Sequence, residues 1–311
     1  MYVNGKLLRE GQKSASAVHP GLGEAFQSDG AAYFEGDMSD PELFRETLGD
    51  SRIQRLVAAG LPQPPAPPVI EPAAGDRAGL LFWQDGRYSL HDSAGRSSSL
   101  EIAGTGRPVE INGPWRVSFP LNLGAPAEIT LPELISLARH PDPGVKYFSG
   151  TATYTRRFKM AADATTGGKR LFLDLGWVEV AAEIRLNGKD LGILWKPPYR
   201  VDITEAVRPG DNELEIRVTS LWPNRLIGDE LLPPENEYGS VSGNAVVSGT
   251  GTSNLAIRRL PDWYMQGKPK PPGGRVTFAT WKHYTQDDPL LESGLLGPVQ
   301  LRTAVRRGLD F

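Results

Sequence analysis

Cysteine is absent from this 311-residue sequence, which rules out disulfides, thiolate nucleophiles and zinc–thiolate sites and leaves the compartment open. Histidine is scarce, and His19, His91, His140 and His283 are scattered, so no histidine metal site is expected. No stretch approaches the roughly eighteen apolar residues of a membrane span, and MYVNGKLLREGQKS has no apolar signal-peptide core. No signal is therefore expected in this chain, and a periplasmic or extracellular place would follow only from membership in a longer exported protein. No Asn-x-Ser/Thr acceptor occurs. A formal net charge of -3 gives no basic face for a polyanion, so neither nucleic acid nor membrane is an expected partner. Gly-x-Ser-x-Gly, Walker, dinucleotide and His-Glu-x-x-His motifs are all missing.

What is abundant is glycine (35) and proline (27), a profile of turn-rich β structure. Alternation carries the fold. Leu214, Ile216 and Val218 share one face of ELEIRV, Leu171, Leu173 and Leu175 one face of LFLDL, and Ala182, Ile184 and Leu186 one face of AEIRL. Asn187-Gly188 follows at once, a pair that tolerates the positive φ of a tight hairpin turn. Tyr199, Val201 and Ile203 add a further row. Strands with one apolar face each require two sheets facing one another. The expected class is mainly β: an antiparallel β-sandwich, of jelly-roll, galactose-binding-like type, with a small mixed N-terminal appendage.

The expected boundaries are 1–75 for that appendage, 76–111 for a short β segment and 112–311 for the sandwich. Within the appendage, Ser39, Pro41 and Glu42 open one helix, Ser51 to Gly60 form a second, and LPQPPAPPVIEP is an extended linker that cannot be a central strand. LLFWQDGRYSLHDSAGRSSSLEI reads as two or three short strands with a turn at Asp85-Gly86. RVTFATW and GPVQLRTAV read as strands closing the sandwich. The long Gly-rich stretch between Pro223 and Gly274 is functional or disordered.

The run LDLGWVEVAAEIRLNGKDLG followed by PYRVDITEAVRPGDNELEIRV resembles the sugar-binding jelly-roll domain of family 2 glycoside hydrolases. Over residues 112–303, GPWRVSF, KYFSGTATYTRRF, LWKPPYRVD, TSLWPNRLIGDE and SGLLGPV resemble, in order, the C-terminal β-sandwich region of α-L-rhamnosidase-like enzymes of glycoside hydrolase family 106. The resemblance implies a carbohydrate partner, such as a rhamnose-containing glycan. It also implies a catalytic (β/α)₈ barrel on the same or a neighbouring chain, since that barrel carries the acid and base carboxylates. No catalytic residue is assigned to this chain. Its expected role is an accessory carbohydrate-binding or structural sandwich of a rhamnosidase-like glycoside hydrolase. The alternatives are an independent carbohydrate-binding module and, last, a complete small glycosidase.

Sugar C–H faces stack on aromatic rings and planar polar groups bind hydroxyls. The candidates for substrate binding are Trp195, Lys196, Tyr199, Trp222, Asn224, Arg225, Asp229 and Trp281, with Trp263 and Tyr264 as further aromatics. The same cleft could equally receive the barrel. Trp115 and Trp177 are expected to pack in the core. The carboxylate pairs Glu179/Glu183 and Asp229/Glu230 are expected on the solvent face and in a salt bridge with Arg225, respectively. No cofactor is expected; a structural calcium ion would need only oxygen ligands, and Asp287-Asp288 is too short a signal to place one.

Overall fold

A computed structural model describes residues 2–3, 6–7, 69–73, 79–91, 93–240, 255–271, 273–279 and 284–308. Contacts divide the chain into residues 1–67 with 240–254, and residues 68–239 with 255–311. In the first unit the described residues form one antiparallel hairpin, β1 (Tyr2–Val3) and β2 (Lys6–Leu7), with Tyr2 opposite Leu7. The helices expected over 39–60 lie outside the described residues.

The second unit begins with β3 (Ile70–Pro72) and β4 (Gly79–Phe82), then the hairpin β5 (Gly86–His91) and β6 (Ser97–Ile102). β7 (Val109–Glu110), β8 (Trp115–Ser118) and β9 (Glu128–Leu131) follow, then a 3-10 turn at Leu137–Arg139 and the one-turn helix α1 (Pro143–Lys146). The central strands are β10 (Thr151–Met160), β11 (Lys169–Asp174), β12 (Trp177–Glu179), β13 (Ala181–Leu186), β14 (Lys189–Leu194), β15 (Arg200–Asp202) and β16 (Gly210–Thr219). After them come α2 (Pro223–Asp229), β17 (Glu237–Ser240), β18 (Leu255–Arg259), α3 (Asp262–Met265), β19 (Gly294–Gly297) and β20 (Gln300–Gly308).

Two antiparallel sheets make the sandwich. One runs in the order β14-β13-β16-β10-β8-β9, the other β15-β11-β20-β4-β3 with β7 also on β20. The alternating rows meet between them. Leu214, Ile216 and Val218 of β16, Ala182, Ile184 and Leu186 of β13, and Leu171, Leu173 and Leu175 at β11 are all buried in one cluster with Trp115, Tyr154 and Ile203. Each such large side chain contributes about 1.5–3 kcal/mol on leaving water. The class expected from the periodicity, mainly β with antiparallel sheets, is the one observed.

Two departures are instructive. Phe172, on the outward face of β11, is also buried, because β4 brings Leu81 and Trp83 over it; the Trp83 and Phe172 ring centroids are 4.8 Å apart. The guanidinium groups of Arg200 and Arg302 lie 4.1 and 5.1 Å from the Trp83 ring, anchored to Glu71 (2.6 Å) and Asp174 (3.2 Å). The proline-rich run also ends in a strand: β3 pairs with β4 at the sheet edge, where Pro72 lacks an N–H without breaking an inner ladder.

The Asn-Gly turn forms as expected, with Asn187 at φ 54 and Gly188 at φ 81. The Asn187 side chain does more than tolerate the turn. Its Nδ2 donates to Ala206 O (2.9 Å) and Asn212 Oδ1 (2.8 Å), while its Oδ1 accepts from Glu213 N (3.0 Å). Buried Asn212 donates in turn to Arg208 O (2.7 Å) and Gly210 O (3.0 Å). Two asparagines thus tie the β13–β14 turn to the loop entering β16. The expected strand at RVTFATW does not form over its described residues, 275–279. Arg275 to Ala279 run as a loop, because the Asp229 carboxylate takes the backbone N–H groups of Val276 (3.1 Å) and Thr277 (2.7 Å) that a ladder would use. Among the described residues, no helix is long and apolar enough to cross a membrane.

Candidate functional site

One end of the sandwich gathers the exposed aromatics. The register puts Ala182 opposite both Leu194 and Val218, and Ala181 opposite Thr219. The residue after Leu194 is Trp195, and three residues beyond Thr219 is Trp222, so β14, β13 and β16 deliver both to the same rim. Val180 N donates to Thr219 O (2.9 Å) and Ser220 Oγ to Glu179 O (3.2 Å), which holds the end of β12 in the same row. Trp195, Trp222 and Trp177 are exposed by 68%, 46% and 47%, levels at which a tryptophan is not serving the core.

Trp177 therefore departs from its expected packing role. It precedes a register shift in the β12–β19 pairing, and its indole N–H donates to Glu179 Oε1 (2.5 Å). Gly176 makes that path feasible: it sits at φ 66, and a Cβ there would lie 2.4 Å from the Gly297 backbone. Trp115 packs as expected, fully buried.

Tyr199 abuts the end of β12. It is buried, its hydroxyl donates to Val180 O (3.4 Å), and burial, then the negative charge of Glu179, raises its pKa. Two cis peptide bonds, Glu179–Val180 and Pro197–Pro198, lie beside it. Lys196 is exposed, its ammonium 5.5 Å from the Trp195 ring centroid. The rim thus presents indole faces, one carboxylate and one ammonium, the elements a pyranose needs: apolar rings for its C–H face and charged groups for its hydroxyls.

Asn224, Arg225 and Asp229 lie beneath this surface on α2, all buried. Asn224 exchanges hydrogen bonds with the backbone of Leu291, Nδ2 to O and N to Oδ1, both 2.8 Å. Arg225 Nη2 pairs with Asp229 Oδ1 at 3.0 Å, and Asp229 also receives Thr277 Oγ1 at 2.7 Å. The trio pins two distant loops to the helix, and Trp222 is presented from that pinned base. Trp281 lies outside the described residues. Three of the four paired carboxylates are salt-bridged: Glu183 to Arg217 (2.8 Å) and Arg185 (3.1 Å) on the outer face, Asp229 to Arg225 and Glu230 to Arg275 (2.6 Å), whereas Glu179 accepts from the Trp177 indole. Asp288 accepts from Thr285 N (2.6 Å) in a turn. Among the described residues, no three His, Asp or Glu side chains gather as metal ligands.

Sequence reasoning missed Trp177 and Glu179 as rim residues. Strand alternation points both away from the core, but Trp invites a core reading, and the departure of β12 to pair with β19 is invisible in a single sequence.

Residues 143–258 match the family described as the glycosyl hydrolase 2 galactose-binding domain-like family. A protein of Formosa agariphila named "Putative beta-glucuronidase" is 39% identical over 224 residues, 72% of this chain and 18% of that protein. Among solved structures, a rhamnosidase from Novosphingobium sp. PP1Y aligns at 32% identity over 72% of this chain and 21% of its own, with a TM-score of 0.49. A β-D-glucuronidase of Dictyoglomus thermophilum aligns at 17% identity over 66% of this chain and 29% of its own, with a TM-score of 0.38. The chain spans 18% of the length of the curated relative and 21% of the rhamnosidase. The matched stretch, 143–258, runs from α1 into β18 and includes Trp177, Trp195 and Trp222, so the rim tryptophans lie within the part of the chain that is similar to the galactose-binding-like domain.

Proposed function

We propose that this chain is the accessory, carbohydrate-binding sandwich of a rhamnosidase-like glycoside hydrolase, with bond cleavage performed by a catalytic barrel elsewhere in a longer protein or on a partner chain. The observation that carries this reading is the convergence of Trp177, Trp195 and Trp222 on one end of the sandwich, with Lys196 and Glu179 among them. In this role Trp195 and Trp222 stack on sugar, and Lys196 and Glu179 meet hydroxyl or carboxylate groups. Tyr199, Asn224, Arg225 and Asp229 hold the aromatic residues in place from below, and Trp281 remains a candidate contact. The rhamnose assignment rests on the ordered sequence blocks over 112–303. A glucuronide is the competing substrate class, favoured by the name of the Formosa protein.

Calorimetric titration of the whole chain with rhamnose-terminated oligosaccharides, and in parallel with glucuronate-terminated ones, separates the two. Trp195→Ala and Trp222→Ala are each expected to weaken binding about tenfold, the loss of one stacking contact. Binding that ignores both substitutions would remove the sugar-binding role and leave a docking face. Turnover of an aryl α-L-rhamnoside by the pure chain, abolished at Glu179 or Asp229, would overturn the accessory reading.

A further inference from the structure

A second exposed aromatic pair lies on the excursion between β16 and β19, more than forty residues beyond Trp222, and shares with it the support of Asp229. Tyr264 on α3 and Phe278 in the loop after Gly274 are exposed by 57% and 53%, with ring centroids 6.5 Å apart and planes only 29° from parallel. Trp263 meets Tyr264 edge-on at 6.0 Å and backs the pair.

The chain works to hold Phe278 outward. The preceding residue, Thr277, gives both its N–H and its hydroxyl to the buried carboxylate of Asp229 (2.7 Å each). The following residue, Ala279, accepts from Asn236 Nδ2 at 3.3 Å. Arg275 forks to Glu230 (2.6 Å), Leu232 O (3.1 Å) and Pro233 O (3.2 Å). A loop with no ladder of its own is thus fixed on both sides of one exposed ring. Fixed, near-parallel aromatic rings in water offer a flat apolar surface on which the C–H face of a ligand ring can stack.

The fringe decides the class of occupant. Asp262, Gln266 and Lys268 flank Tyr264 in sequence and are all exposed, so among the described residues of this segment the exposed large apolar side chains are the two rings and Met265. An amphipathic ring fits that pattern, with C–H groups on its face and hydroxyls at its edge. The charges add a preference. Arg259 is matched by Glu237 (3.3 Å) and Asp262 (2.7 Å), and Lys270 by Glu235 (3.0 Å). Lys268 stands on the turn that closes α3, its N–H on Trp263 O at 2.8 Å, and its ammonium makes no ion pair with a described residue. We infer that Tyr264 and Phe278 form a second glycan-binding platform, with Lys268 selecting acidic, uronate-bearing chains.

Affinity electrophoresis of the whole chain through gels containing sodium polygalacturonate, with neutral (1→4)-β-galactan as the comparison, tests this. Retardation by the acidic polymer is expected, weakened about tenfold in Tyr264→Ala and in Phe278→Ala. Lys268→Gln should weaken it about threefold and flatten its dependence on salt. Leu121→Ala, at an exposed residue of neither site, should leave it in place, and a loss confined to Tyr264→Ala and Phe278→Ala with calorimetric binding at the rim retained separates the two sites. Absence of retardation by polygalacturonate, retention unchanged in both aromatic variants, or equal retardation by both polymers with Lys268→Gln silent overturns the platform. So does sedimentation showing a dimer that the aromatic variants dissolve, since a second copy of the chain would then occupy the rings.

Discussion

The rim tryptophans and the polar residues of α2 are neighbours in sequence and opposites in the fold. Trp222 is half exposed, while Asn224, Arg225 and Asp229, two to seven residues later, are buried with hydrogen bonds to Leu291, Ser149, Val276 and Thr277. Both groups have the residue types that bind sugars. The difference teaches that residue type names a chemistry while burial decides whom the chemistry serves: a buried amide or carboxylate satisfied by backbone holds loops, and an exposed indole without core contacts is free to meet a ligand.

That contrast is sharpest in stability. Asp229→Ala removes three acceptor contacts and leaves the Arg225 guanidinium buried without its 3.0 Å partner. A loss of about 3–5 kcal/mol in denaturant unfolding is expected. Trp195→Ala should stay within about 0.5 kcal/mol of the parent, because its ring is already in water. A Trp195→Ala variant as unstable as Asp229→Ala would erase the distinction between support and contact.

Gly176→Ala comes next. A methyl group at φ 66, placed 2.4 Å from the Gly297 carbonyl, must push β12 and β19 apart. An expected cost of about 2–3 kcal/mol, read by thermal unfolding, should be accompanied by weaker sugar binding, since Trp177 is the next residue. Full binding in this variant would mean that Trp177 is not held by this close approach.

How far these roles could be read from sequence depends on the range of the interaction. The alternating rows at 171–175, 182–186 and 214–218 are local, and the buried faces they imply are the ones observed. The turn at Asn187-Gly188 is equally local. By contrast, Phe172 is buried by Trp83, eighty-nine positions earlier, and the loop at 275–279 loses its strand to Asp229, which lies before it by more than forty residues. Trp177 is exposed because β12 leaves to pair with β19, a partner more than a hundred residues away. Alternation is silent about partners at that range, so the sheets were legible and the burial or exposure of these polar and aromatic residues was not.

The smallest expected effect concerns pH. Tyr154 is fully buried, and its hydroxyl accepts from Leu295 N at 3.2 Å, so loss of its proton would place a phenolate in the core. Burial pushes its pKa well above the ordinary 10.0. Above that ordinary value the unfolded chain releases a proton that the folded chain keeps, so stability falls as pH rises. At the surface, Asp85 has the opposite sign. Hydrogen bonds from Thr105 Oγ1 (2.7 Å) and N (2.8 Å) lower its pKa below 3.8, and its contribution, present above that value, fades as pH falls past it. Tyr154→Phe separates the two. It should cost about 1 kcal/mol near neutrality by removing one hydrogen bond. It should also blunt the alkaline decline in thermal midpoint while leaving the acid limb unchanged. An alkaline limb identical in parent and variant would show that the decline belongs to other groups and that the core phenol does not set it.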